Sequence, residues 1–165
     1  MKEVSPSPGR GRRAVVSTVT DPFRLLPPHG RERLLALGRP VRFPAGTRIF
    51  REGRHADRFW VIRGGTVTLD LHVAGRRPAH IETLHPGDLL GWSWMVPPYT
   101  WRLGAEAAGD VSALEFDAAA VRGVCDDDPE LGRALACQVA EIIGRRLHRT
   151  RTRLLDLYAP YGSGP

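Results

Sequence analysis

The sequence predicts a mainly β domain with flanking helices, a sandwich or barrel, on three observations. Between residues 41 and 117 the chain is a series of short apolar runs punctuated by glycine at positions 46, 53, 64, 65 and 87. One run, TVTLDLHV, alternates: Val67, Leu69, Leu71 and Val73 share one face, and Thr66, Thr68, Asp70 and His72 the other. From about residue 128 the texture turns helical and stays so for some thirty positions.

The elements follow in order. Asp21 and Pro22 form a helix-start pair, Pro27 and Pro28 interrupt that turn, and a short helix is expected over 31–37 with Gly38 closing it. TVTLDLHV, the AGRRP turn and AHIETL make a hairpin, and RFWVIRGG and SALEF supply further strands. Asp128 caps the last helix, Pro129 takes its first turn, and Asp126, Asp127 and Glu130 suit the positive end of its dipole. Leu131, Leu135, Val139 and Ile142 form a row that packs on the domain. Beside it Ala136, Ala140, Ile143, Leu147, Thr150, Leu154 and Leu157 form a heptad seam, the length at which a partner helix becomes plausible. Two adjacent rows need two surfaces, so a homodimer through Ile143, Leu147, Leu154 and Leu157 is expected. The expected organisation is a disordered basic tail over 1–20, a domain over 21–158 (barrel about 39–117, dimer helix about 128–158) and a second disordered tail over 159–165.

Composition narrows the function classes. The 165 residues suit one domain with one core. No run approaches the ~20 apolar residues of a membrane span, and the N-terminus lacks the apolar stretch of a secretory signal; no membrane association and a cytoplasmic location are expected. Cys125 and Cys137 have neither disulfide nor metal spacing. The net charge of +6 comes from the first tail and from Arg145, Arg146, Arg149, Arg151 and Arg153, which read as a solvated helix face. Weak nonspecific nucleic-acid association through that helix is a minor alternative.

Three of the four tryptophans fall in GWSWMVPPYTW, residues 91–101, a stretch without charge that reads as a loop. Core packing, a modified small-molecule pocket and an exposed docking patch each account for such a cluster, and composition does not separate them. Catalytic sites find no support. Ser93 lacks the closing glycine of a nucleophile elbow, and no phosphate-cradling glycine loop is present. His80, Glu82 and His85 lack metal-ligand spacing. No enzyme and no metal are expected.

RFPAGTRIFREGRHADRFWVIRGGTVTL followed by IETLHPGDLLG resembles the cyclic nucleotide-binding domain of the bacterial catabolite-activator and oxygen-sensor regulators. The resemblance runs from about Asp21 to Tyr158. It implies an antiparallel β jelly-roll barrel with helices at both ends, the long C-terminal one serving as dimer helix. It also implies a phosphate-binding cassette after the PGDxxG approach that contains Gly87. In the family that cassette reads G-E-x-A, the glutamate holding the ribose, and a later arginine pairs the phosphate.

Here Gly91 stands at the glycine, Trp92 at the glutamate, Ser93 at the variable position and Trp94 at the alanine. Counting forward makes Arg102 the phosphate arginine; counting back from SALEF puts Trp101 there. A ribose without its carboxylate loses a charge-assisted hydrogen bond worth roughly 1.5–3 kcal/mol. The resemblance therefore implies no cofactor, with cyclic AMP and cyclic GMP bound weakly or not at all, and a pocket that is self-filled or takes another small molecule. The expected role is sensory or regulatory, exerted on a partner protein; the alternative is a ligand-free interaction module. DNA reading in the regulators comes from a helix-turn-helix domain after the dimer helix. Only APYGSGP follows Tyr158, so sequence-specific DNA binding is not expected.

Overall fold

A computed structural model describes residues 21–158. The two tails expected to be disordered lie outside the described residues, as do the side chains of residues 156–158, Leu157 of the expected seam among them. The element order is α1 (Pro28–Ala36), β1 (Arg39–Phe43), β2 (Arg48–Phe50), β3 (Arg58–Gly64), β4 (Val67–Leu71), β5 (Ala79–Leu84), β6 (Leu89–Leu90), a 3₁₀ turn (Ser93–Met95), β7 (Gly104–Ala107), β8 (Val111–Asp117), α2 (Ala118–Asp127) and α3 (Pro129–Tyr158).

The strands make two four-stranded antiparallel sheets, ordered β1-β8-β3-β6 and β2-β7-β4-β5. Successive strands change sheet at nearly every step, and only β4 and β5 stay together as the expected hairpin. This is the jelly-roll arrangement. A register shift after Leu69 leaves Val67 and Leu69 buried but Leu71 exposed, so the alternation read from TVTLDLHV holds for two of its inward residues.

Strand β3 explains how the molecule is layered. Phe59, Trp60, Val61 and Ile62 are all buried although successive side chains point to opposite faces. Trp60 meets Phe43 of its own sheet and Phe50 of the opposite sheet, so its face lies between the sheets. Phe59 stacks on Phe116, which in turn meets Phe23 edge-on, so the other face is covered by the N-terminal segment and the helices. An uninterrupted apolar run is what a strand covered on both sides requires.

The N-terminal segment departs from expectation. Asp21 closes a turn, its carboxylate accepting the Phe23 amide at 2.9 Å, and no helix begins there. Helix α1 begins at Pro28 rather than at residue 31, because a proline in the first helical turn needs no N–H and already has helical φ. Helix α2 was not anticipated. It is capped by Asp117, whose carboxylate accepts the Ala120 amide at 2.8 Å. Asp128 accepts the Leu131 amide at 3.1 Å as the cap of α3. On α3, Leu131, Leu135, Val139 and Ile142 are buried, and Gln138 among them accepts the Leu25 amide, tying the N-terminal turn to the helix. In the adjacent seam Ala136, Ala140, Leu147, Thr150 and Leu154 are exposed and Ile143 is half-buried.

Candidate functional site

The cassette region is built on the edge of the first sheet. Strand β6 pairs with β3 through Leu89 opposite Val61 and Leu90 opposite Trp60. The turn before it is closed twice: the His85 amide donates to the Asp88 carboxylate at 2.8 Å, and the Gly87 amide donates to the Ile62 carbonyl at 2.8 Å. At Gly91 the chain turns away from the sheet with φ +81°, a conformation that favours glycine.

The three tryptophans then separate. Trp94, in the 3₁₀ turn, is 1% exposed and stacks on Phe59 at 4.4 Å between centroids, extending the Phe59–Phe116 stack outside the sheet pair. Its carbonyl accepts from Arg122 of α2 at 2.7 Å, and the same guanidinium lies over the Tyr99 ring at 4.6 Å. Trp101 is 4% exposed and goes the other way, between the sheets. Its ring stacks on Phe50 at 4.0 Å and lies 6.1 Å from Trp60. Its backbone is held from both sides, by the Arg54 carbonyl at 2.8 Å and the Gly53 amide at 2.9 Å. Trp92 is half-buried against the core, and Ser93 is buried.

Trp101 and Arg102, the two residues that the sequence offers for the phosphate-arginine position, both line one small space. Trp101 occupies the inward position just before β7, and a Cβ on Gly91 would meet its six-membered ring at 2.5 and 2.7 Å. Arg102 is exposed and lines the same space. That space, walled by Phe50, Leu69, Gly91, Trp92 and Trp101, measures about 40 Å³. Sites for drug-sized ligands run to roughly 300–1,000 Å³, while one water needs about 10–15 Å³. The space is large enough for water and far below that range.

Another wall of the same space is Arg146 of α3, a site residue that reading the helix arginines as a solvated face misses. Its side chain is 14% exposed. The Nη2 group donates to the Leu89 carbonyl, and Nε lies 3.4 Å from the Glu82 carboxylate, so the helix is fastened to β6 and β5. Burial pulls the Arg146 pKa below its ordinary value, with the charges of Glu82 and Asp88 opposing that shift. A signal was present in the sequence. The buried row 131, 135, 139, 142 continues at 146, where a charged residue stands in an inward position. Of the three residues weighed as metal ligands, Glu82 is engaged by Arg146 and Arg149, and His80 bonds the Thr83 hydroxyl at 2.9 Å.

Residues 40–128 match the family model of the cyclic nucleotide-binding domain. The chain is 30% identical over 118 residues to a CRP-like cAMP-activated global transcriptional regulator of Mycobacterium tuberculosis; the match covers 72% of this chain and 51% of the regulator. The chain thus spans about half the length of that curated relative. Among solved structures, a Geobacter metallireducens GS-15 protein assigned to cyclic nucleotide binding superposes with a TM-score of 0.70 at 25% identity, covering 79% of this chain and 94% of that one. The catabolite activator protein of Thermus thermophilus superposes with a TM-score of 0.67 at 22% identity, covering 83% of this chain and 62% of that one, a likeness of fold. No described helix is long and apolar enough to cross a membrane. With the jelly-roll sheets, the PGD turn into Gly91 and the long α3 in place, and a family model matched over more than half its length, the chain belongs to the cyclic nucleotide-binding domain family.

Proposed function

We propose that this chain is a non-catalytic, cytoplasmic regulatory module in which the protein's own Trp101 occupies the space a cyclic nucleotide would need. The observation that carries the reading is the Trp101 ring held between Phe50 and Gly91, with about 40 Å³ left beside it. Gly87, Gly91, Trp92, Ser93, Trp94, Trp101 and Arg102 then make up a degenerate cassette. A cyclic phosphate placed there would face an indole where the family has a guanidinium, and it would lose a charge-assisted bond. Isothermal titration calorimetry with cyclic AMP and cyclic GMP tests this: neither should bind with a micromolar or tighter constant, and such a constant for either nucleotide overturns the reading.

With its interior closed, the module acts on another protein chain through its surface. The exposed seam on α3 favours a second copy of this chain as one such partner: Leu147 and Leu154 are 49% and 52% exposed, in line with Ala136 and Ala140. The alternative, weak nonspecific association of the α3 arginines with nucleic acid, has less support, because Glu141 and Glu82 offset most of the charge of Arg145, Arg146 and Arg149 and leave little net charge along the helix face.

A further inference from the structure

A cavity of about 150 Å³ lies between α3 and the turn into β6 and shares only Arg146 with the space beside Trp101. Its walls are Gly87, Asp88 and Leu89 on the barrel side and Arg145, Arg146 and Arg149 on the helix side, with Pro22 and Ile142 as its apolar lining. We propose that this cleft is a binding site for the phosphoryl group of a small phosphorylated molecule, seated against Arg146 and gripped by Arg145 and Arg149.

The charge distribution is the first argument. Glu82 is shared by Arg146 and Arg149 at 3.4 Å each, and Glu141 is shared by Arg145 at 2.8 Å and by Arg24. Four guanidiniums therefore share two carboxylates. Asp88 is a third carboxylate, but its Oδ2 accepts the His85 amide. Counting it in full still leaves one positive charge over. The surplus sits on partly exposed guanidiniums at the mouth of the cleft, where an incoming anion gains charge-assisted hydrogen bonds beside the largely buried Arg146. The direction of the Arg146 shift, set first by burial and only then by Glu82, agrees with incomplete neutralisation.

Donor geometry is the second. Arg146 uses Nη2 for the Leu89 carbonyl and Nε for Glu82, and among the described residues nothing accepts from its Nη1. Arginine presents donors in a planar fork that matches phosphate oxygens, and residues 145, 146 and 149 bring three such forks to one cavity. Size is the third argument. The cavity is about half the roughly 300 Å³ at the lower end for drug-sized ligands, which suits a phosphate or diphosphate group and leaves any attached organic part outside.

Arg145 and Arg149 line this cleft and not the space beside Trp101, so the test does not depend on whether that space rejects cyclic nucleotides. The full chain is titrated by calorimetry with orthophosphate, pyrophosphate and AMP, in a phosphate-free buffer at about 0.15 M salt, where long-range attraction is screened beyond roughly 8 Å. Saturable binding of at least one is expected. Arg145→Gln with Arg149→Gln, both at partly exposed positions, should weaken it at least about tenfold, as the loss of two charge-assisted contacts requires. Arg151→Gln, exposed and outside the cleft, should leave it unchanged. AMP binding as well as orthophosphate identifies a nucleotide-borne phosphoryl group; orthophosphate or pyrophosphate binding without AMP identifies the free ion. No saturable binding of any probe, or equal weakening by Arg151→Gln, overturns the proposal. Circular dichroism of the double variant guards against misreading a folding defect, and Arg146→Lys gives an independent reading: the charge stays, the fork is lost, and affinity should still fall.

Discussion

The ring of Trp101 lies over that of Phe50, 4.0 Å between centroids and 14° from parallel, and its outer edge rests where a Cβ of residue 91 would sit. One residue from the loop before β7 thus spans from the second sheet to the cassette glycine on the first. Gly91 serves that contact twice, through its φ of +81° and through its lack of a side chain.

Gly91→Ala should therefore be strongly destabilising. The left-handed backbone alone costs an L-residue about 1–2 kcal/mol, and the added methyl would also strike the indole. In the Trp101→Ala background the second penalty disappears while the first remains. Chemical denaturation of the two single variants and the double should show a double loss smaller than the sum of the singles, since the sites touch.

Trp94 sits outside the sheet pair, buried on Phe59. Trp94→Ala should cost about 3–5 kcal/mol, as large-to-small changes of core aromatics do, and Trp92→Ala, at a half-buried position, should cost less. The Trp94 indole N–H has no hydrogen-bond partner among the described residues. Trp94→Phe removes that unsatisfied donor while keeping most of the stack, so its loss should fall well below that of the alanine variant. Two alanine variants within about ±0.5 kcal/mol of wild type would instead mark an exposed docking surface.

For the α3 seam, sedimentation velocity of wild type against Leu147→Glu and Leu154→Glu is decisive. Both positions are about half exposed within one chain, so a glutamate there should leave the monomer folded. The variants should run as monomers and the wild type as a dimer, because a charge buried unpaired in a helix interface is costly. An unchanged oligomeric state in both variants would leave the seam without a partner helix.

The two thiols give a further readout. Cys137 is exposed on α3 beside the seam, whereas Cys125 is half-buried at the end of α2. Burial pushes the Cys125 thiol above its ordinary pKa, and the nearby carboxylates of Asp126 and Asp128 push the same way. Its reactive thiolate therefore forms only at higher pH. Maleimide labelling near neutral pH should modify Cys137 first, with Cys125 catching up as pH rises. If the seam pairs, Cys137 labelling should slow as protein concentration increases.

Nucleic-acid association should be weak and collapse with modest added salt. Glu82 and Glu141 offset most of the charge of Arg145, Arg146 and Arg149, so the helix face displaces few counterions from an extended duplex. Filter binding of random duplex across a salt series checks this. Sequence-selective binding that survives physiological salt would contradict it.

What the sequence determined by itself was local. The TVTLDLHV alternation and its turn define a hairpin, Asp128 before Pro129 defines the start of α3, and the row Leu131, Leu135, Val139 and Ile142 defines its buried face, because each rests on spacing within one element. Helix α2 escaped because AAAVRGVCDD runs directly on from β8 with only Asp117 to mark the boundary. The site was another matter. GWSWMVPPYTW places three indoles in a loop, but only the packing of the sheets sends Trp94 out onto Phe59 and Trp101 in onto Phe50. Likewise a run of arginines reads as a solvated face until the helix is laid against the barrel, where Arg146 meets the Leu89 carbonyl and Glu82. A side chain's direction follows from its own backbone, but its surroundings come from strands and helices distant in sequence, and those surroundings decide whether a space between two sheets holds a ligand or a tryptophan.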